Sequence, residues 1–333
     1  MKRFGATILD GDGYRLTANE KALFRDVNPF GFILFSRNID TPDQVRALCN
    51  EYREAVGREC PITIDQEGGR VQRLRSPTWR EWLPPLEFVE AAGENANRAM
   101  YLRHRVIAHE LRDIGVDSNC APMVDVADSQ THDFLRNRCY GTDPTVVAAL
   151  GRAAADGLLD GGVLPVVKHM PGHGRAMADS HFDLPKVDAP RSGLDTHDFA
   201  PFKALNDLPM GMTAHLVYDA IDTAPATLSK PVMDVIRNDI GFDGLIMTDD
   251  ISMKALSGDL GALSRTSLEA GCDVILHCNG SLAERQQVAQ AAGEMSDIAQ
   301  KRAERALEMR KTPDQIDIAA LDAELKALLG GGA

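Results

Sequence analysis

The sequence predicts an α/β chain folded as a single (β/α)₈ TIM-type barrel with a short C-terminal helical tail. Three observations point there. Eight short apolar runs recur along the 333 residues, an amphipathic segment follows most of them, and no Pro/Ser-rich linker marks off a second globular unit. The expected boundaries are residues 1–300 for the barrel and 301–333 for the tail.

The runs are Ala6–Leu9, Gly31–Phe35, Ile62–Asp65, Val116–Pro122, Val163–Lys168, Met210–Ala214, Leu245–Thr248 and Val274–His277. Several are rich in β-branched residues and bounded by Gly, Pro or Asp, as parallel strands buried on both faces should be. Helices are expected over Thr41–Val56, which opens with Thr-Pro, and over Asn95–Ile114, with Leu102, Val106, Ile107 and Leu111 on one face. Others are expected over Pro144–Leu159, Lys230–Ile240, Lys254–Ala270 and Ser281–Met295, with a terminal helix over Ala319–Leu329. An open doubly wound sheet is the competing architecture, but no G-x-G-x-x-G follows the first strand.

Composition narrows the function. Lys and Arg number 36 against 49 Asp and Glu, a net charge of −13 that repels nucleic acid and anionic membranes. Asp10 and Asp12 break the N-terminal apolar stretch too early for a signal peptide, and no run reaches the roughly 20 residues of a membrane span. The six cysteines form no C-x-x-C pair and read as reduced, buried thiols. The expected location is cytoplasmic.

In a parallel barrel the chemistry gathers at the C-terminal ends of the strands. Four runs end in residues that an apolar strand has little reason to carry: Asp65, Lys168-His169, His215 and Asp249-Asp250. After the fifth run, residues 169–195 lack periodicity but hold His169, His173 and His181. Long loops in compact domains are commonly functional. Asp179 and His181 are spaced D-x-H, so a carboxylate can orient the imidazole and raise its proton affinity. His104, His109, His132 and His197 fall on expected helices or outer loops without an evident role.

The segments IDQEGGRVQRL, KHMPGHG, ADSH and GFDGLIMTDDISM resemble the signatures of glycoside hydrolase family 3, in the family's order, from about Ile8 to Asn279. The resemblance is strongest to its bacterial cytosolic β-N-acetylglucosaminidase branch, which acts in peptidoglycan recycling. It implies a retaining exo-glycosidase that removes terminal β-linked N-acetylglucosamine from muropeptides, GlcNAc-1,6-anhydroMurNAc with or without peptide, through a covalent glycosyl-enzyme. By this match Asp249 is the nucleophile, with Asp250 the competing choice, and Thr248 stands where relatives carry serine. His181 is the acid/base, with Asp179 orienting it. Asp65, Arg138, Lys168 and His169 hold the sugar hydroxyls, while Arg73 and His215 line the pocket. Cys139 stands where serine is usual beside Arg138. No cofactor or metal is implied, and the protein is expected to act as a monomer.

Two other readings use the same residues. A metal-dependent barrel hydrolase would take His169, His173, His181, His215 and Asp249 as ligands, but lacks an H-x-H at its first strand. A non-catalytic amino-sugar sensor could keep Asp65 and Lys168, but has no need of Asp249, Asp179 and His181. Lys168, Arg138 and Arg73 are expected to give the acidic body a small basic mouth suited to the carboxylates of a muropeptide.

Overall fold

The computed structural model describes residues 2–176 and 184–330. Eight parallel strands run in chain order around a ring: β1 (Gly5–Leu9), β2 (Pro29–Leu34), β3 (Ile62–Ile64), β4 (Ser118–Asn119), β5 (Leu164–Met170), β6 (Met210–Thr213), β7 (Leu245–Met247) and β8 (Ile275–Leu276). Thr7 pairs with Ile275, and a single Met247–Val274 bridge joins β7 to β8. The sheet is thus nearly closed into a barrel with helices around it.

Every expected strand coincides with one of the eight. The pattern was readable because both faces of each strand are buried. Ala6, Ile8, Phe30, Ile33, Val166, Met210, Met212, Leu245 and Met247 belong to one apolar cluster. Their neighbours Leu9, Phe32, Leu34, Ile62, Ile64, Val167 and Ile246 belong to a second, shared with the helices. Strand β4 is shorter than expected. There the Asn119 side chain takes over from the ladder, accepting from Gln66 N at 3.0 Å and donating to Gln66 O at 3.1 Å.

The helices follow their caps. Thr41 caps Pro42–Val56, Asp143 caps Pro144–Asp160, and Ser281 forms a capping box with Glu284 at the head of Leu282–Ala292. The helix expected from Lys254 starts instead at Leu260, because the Asp259 side chain caps it there, accepting from Ala262 N at 2.9 Å. The turns before it carry Met253 to the barrel mouth. Helix Ala18–Val27 was not foreseen: only Glu20 and Phe24 are buried, leaving little apolar period to read. Helix Asp297–Glu308 crosses residue 300 and adds Ala299, Ala303 and Ala306 to the strand cluster. The terminal helix Ile318–Leu328 is tied back through the Arg80–Asp322 and Arg98–Glu324 ion pairs.

Among the described residues no helix is long and apolar enough to cross a membrane. All six cysteines are buried and unpaired.

Candidate active site

A cavity of about 430 Å³ opens at the C-terminal ends of the strands. Its floor and walls include Asp65, Arg73, Arg138, Lys168, His169, Asp249 and Asp250, so six of the nine expected site residues meet there with the competing aspartate. Asp179 and His181 lie outside the described residues. His215 does not line the cavity.

The polar floor is a chain of alternating charge. The Lys168 ammonium, at the end of β5, lies 3.0 Å from Asp65 and 2.6 Å from Glu67. Arg73 donates to the other Asp65 oxygen at 2.9 Å. Arg138 grips Glu67 with both arms of its fork, at 2.9 and 2.8 Å. Burial would drive all four partners towards neutrality, but their opposite charges outweigh it. Asp65 is held well below the usual carboxylate range and Glu67 falls to about 2, while Lys168 and Arg138 are raised above their ordinary values. All four therefore stay ionised at neutral pH.

This pairing corrects the expected basic mouth. Lys168, Arg138 and Arg73 converge, but Asp65 and Glu67 sit among them and cancel most of their charge. Glu67 was missed because it sits in a short antiparallel hairpin after β3, Gln66–Gly68 against Val71–Gln72, with no barrel-strand end to mark it. Gly68, at φ +112°, lets Arg103 come in beside it: an added Cβ would lie 1.9 Å from the guanidinium. Arg103 is fully buried over Phe88 and donates to the Glu67 and Leu83 carbonyls at 2.6 and 2.8 Å.

His169 is fixed by Asp125, also missed, on the segment after β4. Asp125 accepts from His169 Nδ1 at 2.6 Å and from the His173 amide at 2.7 Å. With Nδ1 engaged, Nε2 is the ring atom available to a ligand. Burial pushes the Asp125 carboxyl up, but the adjacent His169 brings it below its ordinary value. His132, expected to be without a role, also reaches the cavity wall.

Asp249 and Asp250, the two candidates for the nucleophile, both touch the cavity. Their carboxylates are employed differently. Asp250 accepts from Ser252 N at 3.0 Å, Ser252 Oγ at 2.8 Å and Cys278 N at 3.4 Å, closing the turn after β7 onto β8. Asp249 accepts one local bond, from Asp250 N at 2.8 Å. His215 stands behind this turn and is wholly committed. Its Nε2–H donates to Asp250 O at 3.0 Å, and Nδ1 lies 2.7 Å from Thr227 Oγ1. Burial lowers its proton affinity, so it is a neutral prop.

The segment after β5 is anchored at both ends around Tyr218. The Tyr218 hydroxyl donates to Gly172 O at 2.5 Å, and residues Val217–Tyr218 pair with Lys186–Val187 beyond the undescribed stretch. Arg175 binds Asp128 and Asp198.

A barrel rim with a buried sugar-sized cleft, ionised carboxylates and pinned cations suits polyol recognition and acetal cleavage. The described family Glycosyl hydrolase family 3 N terminal domain matches residues 8–309, and the chain belongs to that family of glycoside hydrolases. It is 40% identical over 278 residues to a β-hexosaminidase of Methylococcus capsulatus, covering 82% of each chain. It is 37% identical over 284 residues to another of Alkalilimnicola ehrlichii, covering 83% of this chain and 81% of that one. The crystal structure of NagZ from Neisseria gonorrhoeae with N-trifluoroacetyl-D-glucosamine superposes with a TM-score of 0.80 at 29% identity, covering 98% of both chains.

Proposed function

We propose that this chain is a retaining exo-glycosidase that releases terminal β-linked N-acetylglucosamine from muropeptide fragments through a covalent glycosyl-enzyme. Its activity is that of a β-N-acetylhexosaminidase, as in the β-hexosaminidases it resembles. The observation that carries the finer reading is the contrast at the end of β7. Asp250 spends its carboxylate on a turn, whereas Asp249 faces the cleft across from the Asp65–Lys168–Arg138 floor.

In this mechanism Asp65, Lys168, Arg138 and His169 bind the sugar hydroxyls, with Arg73 holding Asp65. Asp249 attacks the anomeric carbon. His181, oriented by Asp179, donates a proton to the departing oxygen and then takes one from the incoming water. A neutral imidazole does not repel an arriving carboxylate, and its ordinary pKa near 6.5 suits both steps. The six buried, unpaired cysteines support a reducing, cytoplasmic setting, and one chain lines the cavity with Asp65, Arg73, Arg138, Lys168, His169 and Asp249, which supports action as a monomer. The muropeptide assignment rests on the sequence resemblance, since the floor's cations are neutralised from within.

Proton NMR of the freshly released sugar tests the reaction course. Retention predicts that the β-anomer appears first and then mutarotates, whereas the α-anomer first contradicts the scheme. Competition between GlcNAc-1,6-anhydroMurNAc and N,N′-diacetylchitobiose tests the substrate: the anhydro compound should have the higher kcat/KM, and the reverse order would remove the muropeptide assignment.

A further inference from the structure

Glu67 has no place in the chemistry above, yet it lies at the centre of the floor. It is buried, does not line the cavity, and bonds the two cations that do: Lys168 at 2.6 Å and Arg138 at 2.8 and 2.9 Å. Its backbone is fixed independently by Arg103. We propose that Glu67 is a positioning residue of the sugar site, holding the Lys168 ammonium and the Arg138 guanidinium side by side at the spacing in which both meet the same sugar. This rests on the reading that Lys168 and Arg138 bind sugar hydroxyls.

Two like charges meet on one floor. Lys168 and Arg138 are 2% and 7% exposed and line the same cavity. Lys168 faces Asp65 from the end of β3, Glu67 from the short hairpin that follows, the buried Cys120 thiol after β4, and Tyr140 and the Arg138 guanidinium beyond it, while Asp249 lines the same cavity. Without the Glu67 charge, one carboxylate already shared with Arg73 must serve the ammonium, and Arg138 loses both of its hydrogen bonds to Glu67. The free site then has two costs to relieve: the cations separate, and Lys168 gives up its proton more readily. Either change spoils donation to the sugar, and it does so through Lys168 and Arg138, without Glu67 touching substrate.

Glu67→Gln keeps the shape and removes the charge. Steady-state kinetics with 4-nitrophenyl N-acetyl-β-D-glucosaminide, by stopped assay from pH 5 to 10, should show KM raised about tenfold or more at pH 7, the loss expected for charged hydrogen bonds. Values of kcat should change much less. Glu67→Asp restores the charge at shorter reach, so its KM should fall back part of the way towards wild type. It also provides the reading should the glutamine variant fail to fold. Wild-type KM in a folded glutamine variant would overturn the proposal, as would a fall in kcat and melting temperature alone. Lys168→Ala is measured alongside. A raised KM there upholds the underlying sugar-site reading, and an unchanged KM removes that reading whatever Glu67 does.

Discussion

Two adjacent aspartates end β7, and their hydrogen bonds predict opposite phenotypes. Asp249→Asn should leave the melting temperature near wild type and abolish nearly all turnover, because among the described residues the carboxylate accepts only the bond from Asp250 N. Asp250→Asn should unfold more easily, by about 1–3 kcal/mol, since it disturbs three bonds that join the turn to Ser252 and Cys278. Thermal melts and 4-nitrophenol release on both variants check this, and the reverse pattern would exchange the two assignments. His181→Ala should lose much rate on substrates with poor leaving groups and little on activated aryl glycosides. Equal loss on both would count against its acid role. At this scale the sequence showed residues that break an apolar strand at its tip, such as Asp65, Lys168 and Asp249. It hid Glu67, Asp125 and Arg103, because they act on other protein groups and carry no periodic signal.

The elements that aim these side chains are short and depend on close backbone contact. After β5 the chain passes so near the segment following β4 that a Cβ on Gly174 would lie 1.9 Å from Val126 O. Gly174→Ala must push the two segments apart. It should lower the melting temperature by a few degrees and reduce kcat more than tenfold, as the displaced chain runs on towards Asp179 and His181. Wild-type kcat in a folded Gly174→Ala protein would show that this contact does not set the acid/base. Elements of this kind were only partly legible. Capped helices such as Pro42–Val56 announced themselves through Thr41 and Pro42. The start of Leu260–Ala270 was misplaced because Ala255 and Leu256 extended the apolar period across the Ser257-Gly258-Asp259 break, where Asp259 is the cap.

The whole molecule was the most legible, since the barrel strands are buried on two faces and most of them, such as Gly5–Leu9, Pro29–Leu34 and Leu245–Met247, read as apolar runs. Its electrostatics predict acid sensitivity. Burial pushes the His104 imidazole down to about 3 and that of His173 to about 4, while unfolding returns each to an ordinary value near 6.5. Between those limits the unfolded chain binds more protons, so stability is complete above about pH 6.5 and is lost as the pH falls. Glu67, buried but held to about 2 by Arg138 and Lys168, adds a second loss of the same sign below the ordinary glutamate pKa. Denaturant midpoints should therefore drop from pH 7.5 to 5.5, by less in His104→Gln than in wild type, and equal drops would contradict this origin. In the proposed reaction a covalent intermediate forms on Asp249 in the mouth of this barrel. Its most direct measurement is trapping with a 2-acetamido-2-deoxy-5-fluoro glycosyl fluoride, followed by proteolysis and mass mapping of the labelled peptide. One adduct on Asp249 is the predicted result, and an adduct on Asp250, or continued turnover with no adduct on either, would contradict it.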